Sequence, residues 1–186
     1  AIELYNITKE KHYLNEAMDY GKKAGADFWW SVGNINSLAH YKIAKYNPDF
    51  SKYIRQNLKH SITLMGNSFI REGLTYSWGT TNAFLGVSLQ SILYKRLTSS
   101  NEFDSLCIFQ RDFVLGRNPW GVSFIYNIGS KYPKNLHSQI AFYNKGYLPG
   151  ALTAGPAPSQ LLSDYEIKRS NFAYDKFNSN QTRYYD

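Results

Sequence analysis

The residues best suited to do chemistry lie together in one aromatic stretch, residues 116–160. His137 is central to it, and its polar and aromatic neighbours are Asn135, Ser138 and Tyr143. The whole chain is 17% aromatic, with 16 Tyr, 11 Phe and 4 Trp. Flat amphipathic rings beyond what a core needs suit the faces of sugars or of nucleic-acid bases, because both present a stackable surface. The stretch therefore predicts a binding site for one of these two ligand classes.

The same stretch has the composition of a long irregular loop. It contains several glycines, five of the chain's six prolines and no sustained helical period. Loops of this length inside compact domains are uncommon, and they are usually functional or disordered. Disorder is the poorer interpretation here, because the stretch has many rings to bury. We predict a packed active-site loop over residues 116–160.

The elements that must position this loop read as helices. Apolar residues recur at 3- and 4-residue spacing through the first 115 residues, with no convincing strand alternation. The predicted segments are 13–28, 38–44, 53–65, 83–97 and 102–115. Residues 7–14 also align with residues 97–104 at an offset of 90, and residues 43–50 form a looser third copy. Repeating helix pairs of roughly 45 residues favour stacked hairpins in a solenoid or closed toroid, with a plain helical bundle as the alternative.

Composition narrows the class of protein. The net charge is +7, but Lys and Arg are scattered singly or in pairs, without the run that marks a nucleic-acid-binding arm. No apolar run approaches the length of a membrane span, and the first residues do not have the pattern of a signal peptide. The single cysteine, Cys107, excludes an intrachain disulfide framework.

Several motifs resemble the family 9 glycoside hydrolases, which are cellulase-type enzymes. Residues 112–119 resemble the end of a late helix in that family, and Trp78-Gly79 with Asn82 is similar to a segment upstream of it. The family's first signature is matched, at the family's spacing, by Ser123, Ile125, Gly129, Lys131, Leu136 and His137. The stretch that follows the signature is matched by residues 149–152 and by Ala154-Gly155-Pro156. The likeness covers most of the chain and is sharp from 112 to 156.

The resemblance implies an all-α fold, the (α/α)6 toroid of helical hairpins. Residues 1–186 would supply about its last half, as the C-terminal portion of a catalytic domain that is truncated before the catalytic Glu. The family's water-activating aspartates lie near the start of its catalytic domain, and no equivalent is found here. Because glycoside hydrolysis needs two carboxyl groups, we expect this chain alone to be inactive.

The resemblance also assigns site residues. His137 would hydrogen-bond the sugar next to the scissile bond and orient it. Asp186 ends a Tyr-x-Asp match to the start of the family's second signature, where it would support the catalytic Glu. Candidates for stacking on sugar rings are Trp78, Trp120 and Tyr126.

Two positions depart from the family pattern. Tyr126 stands where the family has Ser, Thr or Val, and Gln139 stands where it has Arg. Arg offers sugar hydroxyls a charged planar fork, whereas Gln offers one donor group and one acceptor without charge. A changed substrate or weakened binding at Gln139 is the expected consequence.

The leading hypothesis is therefore a fragment of an inverting β-1,4-glycan hydrolase of the endoglucanase type, acting in polysaccharide breakdown. The first alternative is a catalytically inactive carbohydrate-binding protein of the same fold, and the second is a basic, aromatic nucleic-acid-binding domain. The expected partners are a β-glucan polysaccharide or oligosaccharide and the rest of the parent chain, with no nucleic acid and no membrane. The resemblance implies a secreted or periplasmic setting. No cofactor or metal ligand is identified; calcium is implied by the resemblance alone, without Asp-rich ligand spacing to support it.

Overall fold

The computed structural model describes residues 1–31, 33–163 and 172–185, and most of its regular structure is helical. The six helices of the first 115 residues are α1 Ile2–Thr8, α2 Lys11–Ala24, α3 Asn36–Ala44, α4 Ser51–Gly66, α5 Thr80–Thr98 and α6 Asp104–Val114. The later helices are the short α7 Gln139–Tyr143 and α8 Ser159–Ser163, and 3-10 turns occupy Pro48–Phe50 and Asp175–Phe177. The prediction of an all-α protein is confirmed.

Helices that follow one another along the chain pack together. Each of α1 to α5 contacts the helix that follows it, and α5 and α6 form the most extensive pair. Contacts of α3 with α5 and of α4 with α6 stack one hairpin on the next. This is the arrangement of stacked helical hairpins that the sequence repeat predicts.

The repeat at an offset of 90 is confirmed in the detail of two helix ends. Thr8 Oγ1 donates to the Leu4 carbonyl at 3.0 Å, and Thr98 Oγ1 donates to the Tyr94 carbonyl at 2.9 Å. Each hydroxyl also accepts from the amide two residues later. In both copies the next residue, Lys9 or Ser99, has a positive φ that ends the helix.

The core is shared by the helices and the loop. Its helical part is centred on α4, α5 and α6, where Phe84 and Phe113 stack with ring centroids 4.3 Å apart. Trp120, Val122 and Phe124 belong to the same buried cluster. The first part of the predicted loop therefore contributes to the core.

Residues 116–160 are mostly irregular, as predicted, with three short interruptions. These are α7, the first residues of α8, and strand β1 (Ala157–Pro158), which pairs antiparallel with β2 (Thr182–Arg183). The β1–β2 pairing ties the end of the loop to the C-terminal segment.

Candidate functional site

The loop forms two limbs that run antiparallel and join at a neck. The Tyr126 amide donates to the Ala151 carbonyl at 2.9 Å, and the Gly150 amide donates to the Tyr126 carbonyl at 3.0 Å. A bridge between Ile125 and Leu152 extends this pairing. The neck encloses residues 127–149, which we call the distal loop, and His137 lies within it.

The base of the loop is fixed to the end of α6 by Asn118. Its Nδ2 donates to the carbonyls of Phe113 and Val122 at 2.7 and 2.8 Å, and its Oδ1 accepts from the Trp120 amide at 3.1 Å. Asn118 thereby ties the last turn of α6 to the loop backbone at Trp120 and Val122. The residue before Asn118, Arg117, has its guanidinium over the Phe109 ring, 4.1 Å from the ring centroid.

Trp78 is brought to the same end of the molecule as the loop. It lies two residues before α5, in a turn that Thr80 closes by accepting from the Ser77 amide at 2.9 Å. The next residue of α5, Thr81, donates its amide to the Ala154 carbonyl of the second limb at 3.2 Å. The Trp78 side chain is 59% exposed, so its ring has surface available for a ligand.

His137 and Gln139 are both exposed, on either side of Ser138. Ser138 is the N-cap of α7, and its carbonyl accepts from the Phe142 amide at 2.9 Å. Ala141, which is 1% exposed, faces the protein from this helix. The cap and Ala141 hold the helix, which leaves the imidazole of His137 and the amide of Gln139 available as hydrogen-bonding groups.

Tyr126 is half-buried between the two limbs. Its ring makes edge-to-face contacts with Tyr132, at 5.4 Å between centroids, and with Tyr147, at 6.4 Å. Its stacking on a sugar stays a prediction, and its observed contacts are inside the loop.

Trp120 corrects one of the sequence-based assignments. Its side chain is 4% exposed, and its Nε1 donates to Asn178 Oδ1 at 2.8 Å. The ring also lies against Phe124 and Tyr184 at 6.3 and 5.9 Å. With its only polar group satisfied and little of its surface exposed, Trp120 is mainly a packing residue, and the part that stays exposed lines the groove described below.

The C-terminal segment is held beneath the loop by Asn178. Besides the Trp120 indole, its Oδ1 accepts from the Tyr184 amide at 2.9 Å. Tyr184 is buried against Phe124, with ring centroids 5.1 Å apart. Asp186, the predicted catalytic aspartate, lies outside the described residues. The segment that leads to it is thus packed against the loop that carries His137.

Sequence reasoning did not identify the three residues that build this frame, Asn118, Asn178 and Thr81. Asn118 lies in the family-like segment 112–119 and could have been read as a cap, because Asn side chains satisfy helix ends and turns. The bond of Asn178 to Trp120 and that of Thr81 to Ala154 carry no local signal, since each joins residues far apart in the chain, by 58 and 73 positions.

A groove of about 760 Å³ lies between the loop and the C-terminal segment. Its described lining combines rings with amino groups, among them Tyr132, Tyr174, Lys131, Lys134 and Lys176. Within residues 1–31, 33–163 and 172–185, no group of three or more His, Cys, Asp or Glu is placed to hold a metal ion. The described groups can bind a polar ligand with flat faces, through rings and hydrogen-bond donors.

Comparison with protein families gives a match along the whole chain. Residues 1–186 match the model of "Glycosyl hydrolase family 9". Endoglucanase D of Acetivibrio thermocellus is 23% identical over 177 residues, which cover 84% of this chain and 28% of that protein. Endoglucanase A of Bacillus pumilus is 24% identical over 210 residues, which cover 96% of this chain and 32% of that protein. The chain therefore spans less than a third of the length of these relatives.

Solved structures share the fold. A metagenome-derived glycoside hydrolase family 9 endoglucanase superposes with a TM-score of 0.70 at 20% identity, covering 85% of this chain and 31% of that one. The cellulase Cel9M of C. cellulolyticium, in complex with cellobiose, superposes with a TM-score of 0.65 at 19% identity, covering 83% of this chain and 41% of that one. The helical hairpins described above are thus part of an (α/α)6 barrel.

Proposed function

Because this chain belongs to glycosyl hydrolase family 9, we propose that the natural protein containing it hydrolyses β-1,4-linked glucan. The match of residues 1–186 to the family carries the proposal. The endoglucanase names of the relatives and the cellobiose bound to one structural neighbour support a glucan substrate. The chain is assigned to the C-terminal portion of the catalytic domain, because its motifs follow the order found there.

The exposed groups at the loop end are assigned to the substrate. His137 donates or accepts a hydrogen bond at the sugar next to the scissile bond, and Gln139 offers its amide beside it. Trp78, at the start of α5, presents an exposed ring to a sugar face, which suits the apolar faces of glucose units. These contacts hold the chain of sugars in place, and orientation of this kind lowers the barrier by removing rotational freedom before the reaction.

The bond-breaking groups are two carboxyls. In an inverting glycosidase one carboxylic acid protonates the leaving oxygen while a carboxylate activates water on the other face, at a separation of about 6.5–9.5 Å. Asp186 is assigned to support the acid, and the β1–β2 pairing with the Asn178 contacts holds the segment leading to it. The described residues thus serve substrate binding and positioning.

Gln139 favours a second candidate function, that of an inactive carbohydrate-binding protein of the same fold. An uncharged amide makes weaker hydrogen bonds to sugar hydroxyls than a guanidinium does. In this case the protein would retain glucan binding through Trp78 and His137 but would release no sugar.

The two candidates separate in one experiment on the natural protein. Purified protein is incubated with barley β-glucan, carboxymethylcellulose and, as a control for linkage, soluble starch. We expect reducing ends from the two β-glucans and none from starch, with the α-anomer formed first by proton NMR because the reaction inverts configuration. Retarded migration in a β-glucan gel without release of reducing ends supports the binding protein. Hydrolysis of starch alone contradicts both.

We also propose that the protein acts outside the cytoplasm, because polymeric glucan does not cross a membrane. In the part of the chain that the structure describes, no helix is long and apolar enough to span a bilayer.

Weak retention on heparin and on DNA at physiological salt is expected, because the positive charges are scattered.

A further inference from the structure

We infer that Tyr126 is a positioning residue that holds the distal loop, residues 127–149, in the shape that presents His137. The inference rests on the proposed function and deepens it. It changes the role of Tyr126 from a ring that touches sugar to a ring that organises the loop.

The backbone of Tyr126 is fixed at the neck. Its amide donates to Ala151 and its carbonyl accepts from Gly150, at 2.9 and 3.0 Å. Both backbone polar groups of Tyr126 are thereby paired with the opposite limb. This pairing sets the direction of the Tyr126 side chain, which points between the limbs, where its ring is half-buried.

The ring joins the two limbs of the distal loop. Tyr132 lies on the limb that leads to His137, and its ring meets Tyr126 at 75°. Tyr147 lies on the limb that returns from α7, and its ring meets Tyr126 at 83°. Both contacts have the edge-to-face geometry and centroid separation that aromatic pairs favour. Tyr126 is therefore the common partner of rings that flank His137 in sequence.

Other contacts of the distal loop are a hydrogen bond from the Ser123 amide to the Lys131 carbonyl at 2.9 Å and the burial of Pro133. The helix α7 contains five residues, and Ala141 is the buried one among them. A helix of a single turn is not stable by itself, because nucleation fixes several residues for one hydrogen bond. The order of α7 and His137 therefore comes from the rest of the loop, and the tyrosine contacts join its two limbs beyond the neck. The family's Ser, Thr or Val at this position has no ring and could not make these edge-to-face contacts.

The first test measures order in the absence of sugar. Tyr126→Thr and Tyr126→Phe are made in the natural protein, and trypsin cleavage after the exposed Lys131, Lys134 and Lys145 is followed by mass spectrometry. Cleavage of a transiently open segment tracks the population of the open form. We expect Tyr126→Thr to be cut about tenfold faster than the wild type, a modest opening typical of losing two ring contacts, whereas Tyr126→Phe should resemble the wild type because it keeps the ring. Tyr20→Thr, an exposed tyrosine on α2, is the control for loss of a ring elsewhere and should leave cleavage unchanged.

The second test asks whether Tyr126 acts through His137. Tyr126→Thr should lower kcat/KM on barley β-glucan about tenfold, while the same substitution in a His137→Ala background should cause little further loss. Such coupling between two residues is what a double-mutant cycle detects. The Tyr126→Phe variant should restore activity.

Several outcomes would overturn the inference. Equal trypsin cleavage in wild type and Tyr126→Thr refutes the bracing role, and additive losses with His137→Ala assign Tyr126 to direct contact with sugar. If Tyr126→Thr does not fold, Tyr147→Thr is used instead, because it removes one of the two ring contacts and should also be cleaved faster than the wild type. Cleavage of Tyr147→Thr at the wild-type rate would refute the inference equally. A wild-type protein that releases no sugar contradicts the proposed function instead, and the trypsin experiment still decides whether Tyr126 orders the loop.

Discussion

Gly155 lies so close to Thr81 that a Cβ added to the glycine would stand 2.0 Å from Thr81 Oγ1. The residue before it, Ala154, accepts a hydrogen bond from the Thr81 amide at 3.2 Å. Gly155 also has a φ of +77°, which side chains rarely adopt. The family-like Ala154-Gly155-Pro156 segment is thus explained by contact: it fastens the second limb of the loop to the first turn of α5.

Gly155→Ala should destabilise the protein. The positive φ costs an alanine roughly 1–2 kcal/mol, and the clash with Thr81 adds overpacking of about 1–3 kcal/mol. We expect the free energy of unfolding to fall by about 2–5 kcal/mol, measured by urea denaturation of the natural protein. Activity should fall as well, since the limb that leads back from His137 is displaced.

Gly150→Ala separates the effect of a positive φ from the effect of the clash with Thr81. Gly150 has a similar φ of +82°, but a Cβ there would have nothing within 4 Å. Gly150→Ala should therefore lower the free energy of unfolding only through its positive φ, by about 1–2 kcal/mol. Equal destabilisation by both substitutions would show that the contact with Thr81 contributes nothing.

Trp78 and Trp120 should respond to truncation in opposite ways. Trp120→Phe removes the hydrogen bond to Asn178 and part of a buried ring, so the free energy of unfolding should fall by about 1–3 kcal/mol. Trp78→Ala removes a ring that is 59% exposed. It should weaken binding of cellotetraose about tenfold or more, since stacking of a flat ligand on an aromatic ring is worth about 1–3 kcal/mol in the comparable case of bases.

Calorimetric titration with cellotetraose and thermal melting on both variants test this pair. Trp120→Phe should retain wild-type affinity at a temperature where it is folded, and Trp78→Ala should retain the wild-type melting temperature. Loss of affinity in Trp120→Phe with an unchanged melting temperature would return Trp120 to the substrate site.

Helices were predictable from this sequence, but their first turns were not. The apolar period suggested starts at Tyr53 and Ala83, whereas α4 begins at Ser51 and α5 at Thr80. The first turn of a helix is often polar, because its backbone amides have no partner within the helix. Such residues add nothing to an apolar period, so the period does not show where the helix begins. In the other direction, the period ran on to Phe28, but Gly25 with a φ of +60° ends α2 at Ala24.

The site was predictable as a set of motifs and not as a set of contacts. The loop bounds followed from composition, and the role of His137 stays a prediction from the resemblance. The burial of Trp120 could not be predicted, because it depends on Asn178, a residue 58 positions later in a different segment. The role of Tyr126 was equally hidden, since the rings that it joins are brought together only when the neck forms.

His40 should make stability depend on pH. It is fully buried, its Nε2 donates to the Gly21 carbonyl at 2.9 Å, and its ring stacks on Tyr53. Burial lowers the pKa of His40, against the opposing effects of the Gly21 carbonyl and the Asp27 charge. The unfolded chain takes up a proton near the ordinary histidine pKa of about 6.5, and the folded chain does so only at lower pH. The stability contributed by neutral His40 is therefore present above pH 6.5 and is lost as the pH falls below it.

The measurement is the free energy of unfolding by urea at several pH values from 7.5 to 5.5. One proton contributes a slope of at most about 1.4 kcal/mol per pH unit, and His40→Gln should flatten the curve by up to this amount. His60→Gln, which changes an exposed histidine, is the control for loss of an imidazole elsewhere. A wild-type curve that is flat between pH 6.5 and 5.5 would mean that His40 does not titrate differently in the two states.

His137 and Gln139 should be separable by kinetics in the natural protein. His137→Ala should lower kcat/KM on barley β-glucan by on the order of 10²-fold, which corresponds to about 2.7 kcal/mol of transition-state stabilisation. The melting temperature should change little, because the side chain is exposed and lies in a loop. Gln139→Arg introduces the family's usual residue, whose charged fork binds sugar hydroxyls more strongly, and it should hold or raise kcat/KM. Abolished activity in Gln139→Arg together with full activity in His137→Ala would mean that the loop meets a substrate other than plain β-glucan.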